Sequence, residues 1–277
     1  MTVETSQSCA NQVTNIGDIR AAVASVKMSG KSFQTNLFLR DDEIAARLEK
    51  SGIRALKVDG AVLFLVREDH FFRLYFAVAD PALLVESLPL LNAPEGEVIV
   101  ADVVGPKPEV DAVAHSFASA GFSQRACLHR LQRLGSESLL TGEPASDVEN
   151  ARPEDAPEIL RLLNNNFDVY SDQIPTLAQI HRAIASCNIL VLREGAIIGG
   201  LFYYESLGLT THARYWLALP GYRERAMDLI HHYFKNCASH RRFVLWVHDD
   251  NERIHRIHRL LGYKPDSIID TVWMKKG

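Results

Sequence analysis

The chain has 277 residues, above the ~100–200 of a usual single core, so two domains are the default expectation. Hydrophobic residues make up 47%, charged residues 23%, and the net charge is −4, which gives no pull toward nucleic acid or an anionic membrane. Cys9, Cys127, Cys187 and Cys237 stand far apart with no C-x-x-C pair, which argues against a zinc cluster or disulfide scaffold and suits a reducing cytoplasm.

The opening MTVETSQS lacks a basic stretch followed by an apolar core, and no apolar run approaches the ~20 residues that span a bilayer. A cytoplasmic protein without a signal peptide is expected. Residues 1–30 read as an N-terminal extension holding one short helical stretch, IGDIRAAVASVKM. A helix (DDEIAARLEKSG) follows, then two strands around a tight Asp59-Gly60 turn in RALKVDGAVLFLVRED. Next come the strand HFFRLYFAVA, a helix, the strand GEVIVADVVG, and a helix ending in Gly-Phe before a last strand, FASAGFSQRACLHRLQR. A Gly-, Ser-, Glu- and Pro-rich stretch opening with GSESLLTGEP predicts a linker over 135–147. Beyond it the order repeats: a helix (TLAQIHRAIASC), strands around Glu194-Gly195, the strand THARYWLALP, a helix, RRFVLWVHDD, and a helix running into Gly-Tyr and a strand.

In LALPGYRERAMDLIHHYF, apolar residues fall at Ala226, Leu229, Ile230, Tyr233, Phe234 and Cys237, which predicts a one-faced helix starting near Arg223. The unpaired N–H groups and positive dipole of such a start suit a phosphate. In NERIHRIHRLLGY, Ile254, Ile257 and Leu261 form a helical stripe with His258 inside it and His255 at its flank. Six histidines fall between 231 and 258, yet none joins a Cys or carboxylate at standard ligand spacing, so no metal is expected. HDDN at 248–251 reads instead as a helix cap through Asp249 or Asp250. The arginines at 241, 242, 253, 256 and 259 alternate with acids and read as a solvated face.

These two segments resemble signatures of the GNAT acyl-coenzyme A N-acyltransferase superfamily. The first is similar to its strand, pyrophosphate turn and third helix, and the second to its fourth helix, Asn followed at plus seven by the position of a catalytic tyrosine and then Gly-aromatic. The resemblance covers residues 148–277, and the first half shares its order of elements. It implies an α+β fold: two GNAT-like domains in tandem, 31–134 degenerate and 148–277 an acyltransferase, each a mostly antiparallel mixed sheet flanked by helices. The reaction implied is transfer of an acetyl or related acyl group from acetyl-CoA or another acyl-CoA to a small-molecule or peptide amine.

The resemblance puts coenzyme binding on Arg223, Glu224, Arg225, Ala226, Met227 and Asp228, where alanine and aspartate replace the family's glycines. It puts the coenzyme arm on Asn251 and a backbone N–H that polarises the acyl carbonyl within Leu217 to Leu219. His258 takes the tyrosine's position and becomes the candidate acid for the departing thiolate. Glu205 and His212 are candidate bases for the amine, His212 sharing a strand face with Arg214 and Trp216. The loop NNNFDVYSDQIP offers Asn164, Asn165, Phe167, Tyr170 and Asp172 to the acceptor. Two alternatives stay open: a non-catalytic module that keeps the fold, and a transferase fed by a carrier protein or aminoacyl-tRNA. A homodimer is compatible with all three.

Overall fold

A computed structural model describes residues 11–91, 95–135 and 147–277. The first repeat runs β1 (Asn11–Val13), α1 (Ile16–Ser29), β2 (Gln34–Thr35), α2 (Asp41–Lys50), β3 (Ile53–Val58), β4 (Ala61–Arg67), β5 (Phe72–Val78), α3 (Leu83–Ser87), β6 (Val98–Pro106), α4 (Lys107–Ser119) and β7 (Ser123–Leu134). The second runs β8 (Val148–Asn150), α5 (Ala156–Asn166), α6 (Leu177–Ala185), β9 (Ile189–Glu194), β10 (Ile197–Leu207), β11 (Thr210–Ala218), α7 (Ala226–Asn236), β12 (Arg242–His248), α8 (Glu252–Leu260) and β13 (Lys264–Lys276).

Two compact units result, Met1–Cys127 with Ser267–Gly277, and Leu128–Asp266. In the first unit β1, β3, β4, β5, β6 and β13 are neighbours in that order, and in the second β7, β12, β11, β10, β9 and β8. Pairing is antiparallel except for one parallel pair in each, β5 with β6 and β11 with β12. The units therefore depart from the expected segments 31–134 and 148–277. Each sheet takes its outer antiparallel strand from the other half of the sequence, β13 on β6 and β7 on β12. The expected 1–30 extension is also corrected: β1 pairs with β3, and α1 buries Ile19 and Val26, so residues 11–29 begin the first repeat as β8 and α5 begin the second. Most of the expected linker 135–147 lies outside the described residues.

The hairpins form as the local sequence dictates. Val58 pairs with Ala61 around a Gly60 at φ 67°, and Glu194 pairs with Ile197 around a Gly195 at φ 60°. Strand alternation then sets the layers. Phe72, Leu74, Phe76 and Val78 pack with α3 and α4, whereas Tyr75 and Ala77 pack with α1 and α2. In the second unit Phe202 and Tyr204 face α7, and Leu201 and Tyr203 face α5 and α6. Among the described residues no helix is long and apolar enough to cross a membrane.

Candidate functional site

The parallel strands of the second unit part at a defined point. Their register runs from Thr210 opposite Arg242 to Ala213 opposite Leu245 and stops, although β11 continues to Ala218 and β12 to His248. On its other side β11 pairs Ala213 with Tyr204 and Tyr215 with Tyr203, leaving Arg214 as an extra, bulged residue. A bulge bends its strand and breaks the ladder, which accounts for the fork. It also corrects the expected strand face. After Arg214 the alternation is reset, so Trp216 joins Ala213 in the α7 layer while Tyr215 and Leu217 join the α5–α6 layer.

The fork exposes a particular set of amides. Leu219 N–H is 2.8 Å from Gly199 O, inside the β10 ladder. Successive amides alternate sides, so Leu217 also faces β10, and Trp216 and Ala218 face the fork. Within the expected stretch Leu217 to Leu219, the amides of Leu217 and Leu219 are therefore turned to β10, and Ala218, with Trp216 before it, faces the fork.

The turn expected to hold a phosphate is partly spent on itself. A 3-10 turn over Arg223–Arg225 precedes α7, which starts at Ala226 rather than near Arg223. Tyr222 N–H bonds Leu219 O at 3.0 Å, Arg225 N–H bonds Tyr222 O at 3.1 Å, and Ala226 N–H bonds Arg223 O. Arg225 pairs with Asp147 and lies 4.0 Å from Asp228, so the carboxylate at the helix start is directed at that guanidinium. Arg223 and Glu224 are exposed, and Met227 packs against the α7 core. The Tyr222 ring covers Gly199, where a Cβ would collide with it, and its hydroxyl donates to Glu194 at 2.9 Å. Among the described residues Arg223 is the cation at this turn whose side chain is exposed and outside any ion pair.

His258 is 6% exposed and lies edge-on between two rings, Trp216 at 5.8 Å and Tyr263 at 5.2 Å. Trp216 in turn donates from its indole N–H to Ala226 O at 3.1 Å, tying β11 to the first turn of α7. Burial, with a smaller push from His255, lowers His258 to about 4, and among the described residues its Nδ1 has no hydrogen-bond partner. At neutral pH it is an uncharged imidazole, not a store of protons. Asn251 caps α8 by accepting from Ile254 N–H at 3.3 Å, so the expected cap at Asp249 or Asp250 moves one residue on.

Glu205 and His212, the candidate bases, face each other across β10 and β11. They lie on the closed stretch of the fork, before the bulge. Tyr203 donates to Glu205 at 3.3 Å, and burial, aided by Arg214, pushes His212 below its ordinary value. In the loop expected to meet the acceptor, Asn164 and Asn165 are exposed, Phe167 meets Tyr215 edge-on at 5.1 Å, and Tyr170 N–H bonds Asp168 at 3.2 Å. Asp172 differs from these. One of its oxygens accepts from Asp168 N–H at 2.7 Å and the other lies 3.1 Å from His248 Nε2. That pair joins the loop to the open end of β12. In the sequence His248 stands out only as the first residue of HDDN, because its partner Asp172 lies 76 residues away.

Among the described residues no group of three or more His, Cys, Asp or Glu could hold a metal. A shallow cavity of about 400 Å³ lies elsewhere in this unit, lined by residues such as Asn150, Ser186, Asn188 and His240, none of them a predicted site residue.

The corresponding fork of the first unit is closed by its own chain. β5 and β6 pair only at Phe72–Ile99 and Arg73–Val100, and β2 takes the vacated edge of β5. Asn36 spans the gap, donating to Leu74 O at 3.0 Å and Asp102 O at 2.8 Å while accepting from Phe76 N–H at 2.6 Å. The turn after β5 is likewise satisfied: Asp80 accepts from Ala82 N–H at 2.9 Å, and the amides of Leu83, Leu84 and Val85 bond Asp80, Pro81 and Ala82 carbonyls.

By sequence, no family model and no curated protein matches the chain. By structure it is similar to a tandem GNAT protein from the clavulanic acid biosynthesis pathway, at 11% identity and a TM-score of 0.58, covering 95% of this chain and 96% of that one. It is also similar to a GCN5-related N-acetyltransferase from Sphaerobacter thermophilus, at 12% identity, a TM-score of 0.57 and 86% coverage of both. An acetyltransferase of the GNAT family from Colwellia psychrerythraea matches at 10% identity and a TM-score of 0.56, over 96% of this chain and 99% of that one. The chain has the GNAT fold, in tandem arrangement.

Proposed function

We propose that the second unit is an N-acyltransferase that takes the acyl group of acetyl-CoA, or of a related acyl-CoA, and passes it to an amine. The observation that carries this reading is the bulge-opened fork, which leaves strand amides of Trp216 and Ala218 facing a gap. An extended amide-bearing arm fits such an edge as an added strand would, and an amide aimed at a thioester carbonyl stabilises the oxyanion formed on attack. Arg223 and the start of α7 meet the diphosphate, with Asp228 and the spent amides of Tyr222, Arg225 and Ala226 weakening that grip. Neutral His258 leaves the departing thiolate without an imidazolium beside it; a thiol of pKa ~8.5 leaves as thiolate without obligatory protonation.

Calorimetric titration with acetyl-CoA tests the reading. Heat of binding is expected below about 1 mM, a free energy of roughly 4 kcal/mol or better. A folded protein that gives no heat up to that concentration would favour the other reading, a fold kept without catalysis, which the Arg225–Asp228 pairing supports.

A further inference from the structure

We infer that His248, held by Asp172, is the base that receives the proton of the attacking amine, and this rests on the acyl-transfer reading above. Three placements lead to it. First, β12 carries His248 at the last residue of the strand that diverges from β11, three residues beyond the final pair at Leu245. Second, Asp172 reaches it from the loop between α5 and α6, with Nε2 to Oδ1 at 3.1 Å. Third, that loop is itself fixed: Tyr215, the first residue after the bulge, donates its hydroxyl to the carbonyls of Asp172 and Gln173 at 2.6 and 2.8 Å. The bulge, the loop and the imidazole are thus one connected assembly.

The tautomer follows. A carboxylate accepts, so Nε2 carries the proton and Nδ1 is the free lone pair, with no protein partner among the described residues. A second contact holds the backbone behind it, His255 Nε2 lying 3.1 Å from His248 O. The side chain is 32% exposed, and that of Asp172 15%, so the acid is sheltered and the base is open to an incoming group. The charged and titratable groups facing His248 are Asp172 and Asp168 from the loop, Asp250 from the turn after β12, and His255 from α8, against which His129 of β7 packs edge-on at 6.0 Å. The carboxylates raise His248 above its ordinary value, the Asp172 hydrogen bond most, with burial opposing. Glu205 and His212, in contrast, lie where β11 and β12 are still paired.

The step balances without any further reagent. The amine nitrogen bonds the thioester carbon and its N–H proton moves to His248 Nδ1. The tetrahedral oxyanion collapses, the C–S bond breaks with its electron pair on sulfur, and the thiolate takes a proton from the imidazolium or from water. Asp172 acts as a positioning residue, fixing the tautomer and favouring the imidazolium, as carboxylates do behind histidine bases.

The test uses the full chain with acetyl-CoA and a mixture of the common amino acids and polyamines, reading released thiol with a disulfide dye across pH 5 to 9. His248→Gln is expected to lower kcat by ~10²–10⁴-fold while leaving acetyl-CoA affinity within about twofold, and to abolish the rate's dependence on the His248 ionisation. Asp172→Asn is expected to keep that ionisation but move it to lower pH, since the partner that raised it is gone, and to slow the plateau. A limb from the amine's own ionisation would not move in this variant. A His248→Gln protein with kcat near the parent's, or an Asp172→Asn profile that does not shift, overturns the assignment alone. A parent that binds no acetyl-CoA and releases no thiol overturns the acyl-transfer reading and the assignment with it.

Discussion

The two units contain the same fork of parallel strands and treat it in opposite ways. In the first, β2 lies in the gap and the Asn36 amide bridges Leu74 on one strand to Asp102 on the other. In the second, the bulge at Arg214 opens the gap and the described chain does not add a strand to it. The helix starts differ similarly: Asp80 closes the first turn with its own carboxylate, whereas in the second Arg223 is left exposed. At the end of the fourth helix the pair Phe117–Phe122, at 5.2 Å and 82°, occupies the place of His258–Tyr263, at 5.2 Å and 75°. The first unit satisfies its own polar groups at the fork and lines that wall with hydrocarbon, while the architecture of the two units stays the same.

The largest test makes the second wall like the first, through His258→Phe. His258 is depressed to about 4, so between the ordinary 6.5 and about 4 the unfolded chain binds a proton that the folded chain refuses. Stability is therefore fully present above 6.5 and falls as pH drops toward 4, by about 3 kcal/mol for a shift of this size. In His258→Phe this acid loss should vanish, with stability at pH 7 within about 1 kcal/mol of the parent. Urea midpoints at pH 7 and pH 4.5 measure both. An unchanged acid limb would mean that the imidazole is not the buried neutral group it is taken to be.

Next comes the plug. Asn36 is 7% exposed and serves three backbone groups, so Asn36→Ala leaves Leu74 O, Asp102 O and Phe76 N–H without it. A loss of about 2–4 kcal/mol is expected in urea unfolding, with acetyl-CoA binding stoichiometry unchanged at one per chain or lower. A second equivalent of acetyl-CoA in the variant would break the comparison, because the first fork would then be a masked site and not a filled one.

Much of this contrast was legible in the sequence and the decisive parts were not. The Gly60 and Gly195 hairpins, the Gly-aromatic helix ends and the repeated order rest on near neighbours in the chain, and they stand as expected. The phase of β11 does not. Which of Trp216, Leu217, Ala218 and Leu219 turns an amide outward depends on a bulge set by the pairing with β10, and periodicity carries no mark of it. Nor does it show that Asn36 returns to a strand 38 residues on, or that Asp172 reaches across 76 to His248. The family resemblance did imply that aspartate stands at 228 in place of a glycine; that its charge would be directed at Arg225, leaving Arg223 exposed, needed the packed turn.

The smallest effects compare the two helix starts by one change in each, Asp228→Ala and Asp80→Ala. At Asp228 a carboxylate lies within the first turn of α7, where it takes up the positive end of the dipole and engages Arg225 at 4.0 Å. Removing it frees both for an anion, at a contribution of about 0.3–1 kcal/mol, so acetyl-CoA affinity should rise by up to fivefold as salt is lowered. The same change costs α7 a few tenths of a kcal/mol. At Asp80 the carboxylate accepts from Ala82 N–H in the turn before a five-residue helix, and its removal should cost about 1 kcal/mol of stability without moving affinity. Isothermal titration at 20 and 150 mM salt separates the outcomes. If both variants change affinity alike, the effect is general surface charge, and the two turns are not functionally distinct. If Asp228→Ala alone tightens binding, the aspartate is the electrostatic restraint on an otherwise competent phosphate turn.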